Sequence, residues 1–188
     1  MQKLREQVNN CNKCLLGSMR INPVFGEGNS SAKVMFVGEA PGANEDATGK
    51  PFCGKAGKVL DELLLIAGLT REKIFICNVL KCRPPKNRNP QNLEIEACTP
   101  YLNCQINFIK PAIICCLGNF ATAYIMNKFN IKSKIQGISK IHGTIFIAEA
   151  FYGKIKIIPL FHPAVLTYDS RKKPILDLDF QQLKYVPR

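Results

Sequence analysis

Ile74-Phe75-Ile76-Cys77-Asn78-Val79-Leu80 is an almost unbroken apolar run that opens straight into the basic turn Lys81-Cys82-Arg83-Pro84-Pro85. A run without polar alternation suits a strand buried on both faces, the environment of a parallel sheet covered by helices. Three other stretches have the same character, 33–37, 112–117 and 155–160, and 144–148 is expected as a hairpin partner. Helical periodicity fills the intervals. Residues 57–67 place Leu60, Leu63, Leu64 and Ala67 on one side, 92–108 follow Pro90, and 119–129 form a third segment. Strand, helix, strand in succession predicts an α/β layered fold with a mostly parallel sheet.

The chain has 188 residues, 46% of them hydrophobic, which is enough for one cored domain over 1–188 and too little for two full-sized ones. No stretch approaches the roughly 18 to 20 apolar residues of a membrane span. The start, Met1-Gln2-Lys3-Leu4-Arg5-Glu6, lacks a secretory apolar core. The expectation is therefore a soluble cytoplasmic protein without a membrane partner, acting as a monomer. Nine cysteines fit that compartment, because the number is odd and Cys77, Cys115 and Cys116 lie in apolar runs where free thiols are at home. A net charge of +12, from 26 Lys plus Arg against 14 Asp plus Glu, favours a polyanionic partner, with nucleic acid foremost. An ordinary lysine-rich surface is the bland alternative.

In open parallel sheets ligands sit beyond the carboxyl ends of the strands. That rule selects Gly38-Glu39-Ala40-Pro41-Gly42, Asn78 with the loop to Pro90, Gly118-Asn119, and Phe161-His162-Pro163. The first is a tight turn with a carboxylate, although a solvated loop glutamate is the commoner reading. Asn78 interrupts an apolar strand; it either caps a loop or waits for a ligand's donor and acceptor, since a buried amide without partners costs about 1 to 3 kcal/mol. His162 follows a buried strand and precedes a proline, whereas His142 lacks such company and reads as surface. Cys11-x2-Cys14, then Cys82 and Cys98, supply the four thiolates of a metal centre. Thiolates in the first pair suit either Zn(II) or an iron–sulfur cluster, and the wide spacing of Cys82 and Cys98 does not match the second half of a zinc ribbon.

Taken together, Gly38-Glu39-Ala40-Pro41-Gly42-Ala43-Asn44-Glu45-Asp46, Gly49-Lys50-Pro51-Phe52-Cys53-Gly54-Lys55-Ala56-Gly57, Asn78-Val79-Leu80-Lys81-Cys82-Arg83-Pro84-Pro85 with Asn87-Arg88-Asn89-Pro90, and His162-Pro163-Ala164 resemble the family 4 uracil-DNA glycosylases. The likeness spans nearly the whole chain. It implies a three-layer α/β/α sandwich on a mostly parallel four-stranded sheet, with one [4Fe-4S] cluster on Cys11, Cys14, Cys82 and Cys98. Cys53 departs from the family, which more often has an aliphatic residue there.

The implied reaction is hydrolysis of the N-glycosidic bond of deoxyuridine in single- or double-stranded DNA, leaving an abasic site for base excision repair. The base must be flipped out of a duplex or met in a single strand. Phe52 would stack on it, Asn78 would read its N3–H and O4, and Glu45 would bar the thymine methyl. His162, with the backbone of Glu39, Ala40 and Pro41, would stabilise the departing base. Glu39 would position water, with Asn87 a second candidate. Lys81, Arg83, Lys86 and Arg88 would contact phosphates, and Leu166 would wedge into the vacated stack. The competing readings are a catalytically silent binder of the same fold, a covalently trapping member that uses a histidine, and a zinc-bearing structural protein.

Overall fold

The computed structural model describes residues 1–185; residues 186–188, the end of the expected 1–188 unit, lie outside the described residues. Six strands follow in chain order: β1 (Glu27–Gly28), β2 (Val34–Gly38), β3 (Ile74–Asn78), β4 (Ile113–Leu117), β5 (Phe146–Ala150) and β6 (Gly153–Leu160). They form one sheet in the order β1-β3-β2-β4-β6-β5. The inner four are mutually parallel, and the two edge strands run antiparallel to their neighbours.

The expected parallel four-stranded sheet forms the centre, and an antiparallel edge strand extends it on each side to six. The four apolar runs are the four parallel strands, and every residue of β2, β3 and β4 is buried. The additions are edges, where one face meets water and the continuous apolar signal disappears. β5 is the anticipated hairpin partner, shifted to Phe146–Ala150, whereas β1 has two residues and no pattern to read.

Successive side chains of a strand point to opposite faces, and β2 divides accordingly. Met35 and Val37 join one buried cluster with α5 (Asn92–Ile109) and α6 (Asn119–Lys128), while Val34 and Phe36 join the other with α4 (Lys55–Ile66) and α8 (Lys173–Gln182). On α4 the buried Leu60, Leu63 and Leu64 have the spacing of one helical face. The result is helices on both faces of a mixed sheet. The chain leaves β2 for β3 on one side and reaches β4 on the other, so a topological switch point lies between β2 and β4. Among the described residues no helix is long and apolar enough to cross a membrane.

Candidate active site and thiolate pocket

Sheet register brings the first two residues of the site together. Gly38 pairs with Asn78 at the carboxyl ends of β2 and β3. A Cβ on Gly38 would stand 2.3 Å from Asn78 Oδ1 and 2.7 Å from Phe52 Cζ, so the absence of a side chain lets these groups pack over the strand end. Asn78 is 2% exposed. Among the described residues nothing hydrogen-bonds its carboxamide, and Thr122 Oγ1 is the single sealed side-chain polar atom without a partner. The Asn78 amide thus lies uncommitted at the strand end, beside Phe52.

Phe52 stacks on His162 with ring centroids 5.6 Å apart. Its backbone lies in the left-handed region, φ 49°, a conformation that costs a non-glycine residue about 1 to 3 kcal/mol. Two features hold it there. Arg71 Nη2 donates to Phe52 O at 2.6 Å and Nη1 to Pro51 O at 3.1 Å, while the same guanidinium pairs with Asp61 and Glu27. Gly57 leaves room below, since a Cβ there would lie 1.7 Å from Phe52 O. Sequence reading missed Arg71: its four acceptors are scattered along the chain, and an arginine in the short turn Arg71-Glu72-Lys73 carries no local signal.

His162 follows β6 and sits against Gly118, whose φ of 90° is a backbone conformation that favours glycine. His162 Nδ1 accepts a hydrogen bond from Ala164 N at 3.1 Å, which places the ring proton of the neutral imidazole on Nε2. Burial lowers its pKa to about 4, opposed in part by the charge of Glu45. The ring is neutral at physiological pH. Glu39, just past β2, has its carboxyl raised above the usual value by burial.

Two cavities meet at Glu39 and His162. The smaller, about 220 Å³, is lined by Ala40, Pro41, Gly42, Pro84, Asn87 and Arg88 besides these two. The larger, about 690 Å³, continues past Gly118, Asn119 and Tyr168 to Lys172. Asn87 enters the smaller cavity with φ 56°, next to Lys86 at φ 53°. Its Oδ1 accepts from Arg83 Nε at 2.8 Å, which leaves the NH2 group to donate.

Several expected roles meet other occupations. Glu45 is the third residue of α3 (Ala43–Thr48) and spends its carboxylate on backbone: Oε2 accepts from Gly42 N at 3.1 Å, and Oε1 from Cys53 N at 3.1 Å and Gly54 N at 3.3 Å. It ties the loop before α3 to the one carrying Phe52. Of the four cations expected to meet phosphates, Lys81 is 1% exposed, Arg83 holds Asn87, and Arg88 forms a forked pair with Glu94. Lys86 alone is fully at the surface. Leu166 packs on the core, because 163–167 coil into a 3-10 turn against α4; Tyr168, 78% exposed, is the apolar side chain that faces outward. His142 is half-buried, with Nδ1 2.8 Å from Asp179 Oδ2 and its ring 4.8 Å from that of Phe161.

Cys11 and Cys14 follow α1 (Gln2–Asn9), Cys82 follows β3, and Cys98 lies on α5; all four line one cavity with Val8, Gly17, Arg20, Lys81, Ala97 and Tyr101. Two donors already address its sulfurs. Arg20 Nη1 lies 3.0 Å from Cys82 Sγ, and Lys81 N lies 3.1 Å from Cys98 Sγ. Burial pushes the Cys98 thiol up to about 12, so occupancy by a metal must displace its proton. Among the described residues no three metal-binding side chains converge on a point fit for one ion. Four soft sulfurs around a common cavity, with N–H donors aimed at them, are a donor set that suits a thiophilic centre, iron–sulfur or zinc.

A model of the uracil DNA glycosylase superfamily matches residues 25–183. The type-4 uracil-DNA glycosylase of Saccharolobus solfataricus is 46% identical over 182 residues, covering 96% of this chain and 83% of that one. Its namesakes from Archaeoglobus fulgidus and Thermotoga maritima are 42% and 45% identical, over 94% and 88% of this chain and 88% and 82% of theirs. A free amide, an aromatic face and a neutral imidazole at the strand ends, beside a four-cysteine cavity, thus occur in a chain that belongs to the uracil DNA glycosylase superfamily and within it resembles the type-4 enzymes.

Proposed function

We propose that this protein is a hydrolytic DNA repair enzyme that excises uracil, leaves an abasic site, and works in the cytoplasm as a monomer. The observation that carries the reading is the Asn78 carboxamide, buried at the end of β3, flanked by Phe52 and without a hydrogen-bond partner among the described residues. Such an amide accepts from uracil N3–H and donates to O4. Cytosine reverses both groups, and a buried polar site left unpaired discriminates strongly. The Phe52 ring offers the flipped base a stacking face worth about 1 to 3 kcal/mol.

Cleavage sends the bonding electrons of the glycosidic C–N bond into uracil and leaves an oxocarbenium-like sugar. Neutral His162 donates through Nε2–H to O2 as charge grows there, with the backbone around Ala40 and Pro41 completing the anion's surroundings. A neutral donor fits because it gives a hydrogen bond without stranding a buried charge beforehand. Glu39, shared by both cavities, accepts a proton of the attacking water and faces the sugar cation. Asn87, its carbonyl already committed to Arg83, donates to the water oxygen. Glu45 acts on thymine exclusion by fixing the loops at the base's edge.

Cys11, Cys14, Cys82 and Cys98 are proposed to hold a [4Fe-4S] cluster, which when bound supplies four covalent ties between the N-terminal segment, the loop after β3 and α5. Hydrolysis asks no electron of it.

Two variants test the site on an oligonucleotide bearing one deoxyuridine. His162→Ala is expected to slow single-turnover excision by about 10²-fold or more with DNA affinity kept. Asn78→Asp is expected to lose uracil excision by a similar factor and to release some cytosine. Wild-type rates on uracil in both would remove these roles.

A further inference from the structure

Lys81 is the buried lysine of the basic turn, and among the described residues no counter-charge pairs with it. Its ammonium donates to Asn78 O at 2.8 Å and to Gln105 Oε1 at 2.7 Å. Gln105 in turn donates through Nε2 to Phe25 O at 2.8 Å, which fixes the amide with its oxygen toward Lys81. The remaining partner is Cys77, a thiol that burial keeps protonated. Three acceptors match three N–H donors, yet none is an anion, and among the described residues no carboxylate pairs with this lysine. An uncompensated buried ammonium carries a penalty of several kcal/mol even after relaxation.

On its other side Lys81 borders the four-cysteine cavity. Its own N–H addresses Cys98 Sγ. Four thiolates outweigh the positive charge of an iron–sulfide core, so the loaded site is anionic, and its walls include apolar Val8, Ala97 and Tyr101. Two cations act on these sulfurs: Arg20, bonded to Cys82 Sγ from the partly exposed side, and Lys81, whose ammonium lies in the core close enough for its charge to favour the Cys98 thiolate.

We propose that Lys81 is the internal counter-ion of the thiolate-bound cluster, and that through the Asn78 carbonyl the same ammonium anchors the residue that reads the base. The inference rests on the cluster assignment made above. It gives Lys81 a role that phosphate contact, excluded by its burial, cannot supply.

The test compares wild type, Lys81→Met and Lys81→Arg for iron, acid-labile sulfide, cluster midpoint potential and bleaching by ferricyanide. Removing a positive charge beside an anion makes it harder to reduce and easier to oxidise. Lys81→Met is therefore expected to shift the potential negative and bleach several-fold faster, with Lys81→Arg close to wild type; loss of iron from Lys81→Met alone supports the same role. A fully loaded Lys81→Met with wild-type potential and bleaching would overturn it, as would loss of iron from both variants. Wild-type protein free of iron and sulfide would instead overturn the cluster assignment, and the counter-ion role with it.

Discussion

Burial acts on Glu39 and His162 in opposite senses, raising the carboxyl above its usual value and lowering the imidazole to about 4. Each shift disfavours the charged form, yet the proposed chemistry wants Glu39 ionised and His162 neutral. Glu39 therefore works against stability: with its folded pKa above the unfolded one, its contribution is present at acid pH and lost as pH rises through the folded value. His162 has the reverse sign, stabilising above 6.5 and progressively less as pH falls toward about 4. Glu39→Gln is expected to excise uracil about 10²-fold more slowly and to melt at or above the wild-type temperature. Wild-type excision rates should climb from acid pH as Glu39 ionises, and Glu39→Gln should lose that climb. A wild-type profile without an acid limb, or an active Glu39→Gln, would contradict the assignment.

At the scale of elements, the site depends on segments that hold one another in unfavourable geometry. Phe52 is kept at positive φ by the Arg71 guanidinium and by the gap over Gly57 on α4. Arg71→Met is expected to leave far-UV circular dichroism unchanged while lowering kcat/KM for uracil DNA by about tenfold, chiefly through KM, as the stacking face becomes mobile. An unchanged KM would mean that Phe52 holds its place without the clamp. The contrast between Phe52 and Arg71 also marks where sequence stops being readable. Phe52 lies inside a contiguous motif, whereas Arg71 acts through carbonyls and carboxylates on other elements. Lys81 makes the same point: between Leu80 and Cys82 it reads as the start of a basic turn, and only the packing of Gln105 from α5 reveals its burial. The parallel strands were legible because burial on both faces writes a continuous apolar run; the two-residue β1 wrote nothing.

Across the whole molecule, the switch point between β2 and β4 gathers Glu39, Asn78, Gly118 and His162 at one end of the sheet. Sequence located these residues at the strand ends, but not the pairing of Gly38 with Asn78 that opens the pocket, since register follows from the packed sheet. The thiolate cavity adjoins the same end because Cys82 and Asn78 leave β3 together. The net charge of +12 supplies the general attraction to DNA that the turn's internally paired cations do not. All of this converges on uracil excision by the intact chain. The most direct measurement incubates the wild-type protein with labelled oligonucleotides holding a single uracil, cytosine or thymine, followed by alkaline cleavage of abasic sites. Scission at uracil alone is the expected result; intact uracil DNA after incubation with folded, iron-loaded protein would contradict the central claim.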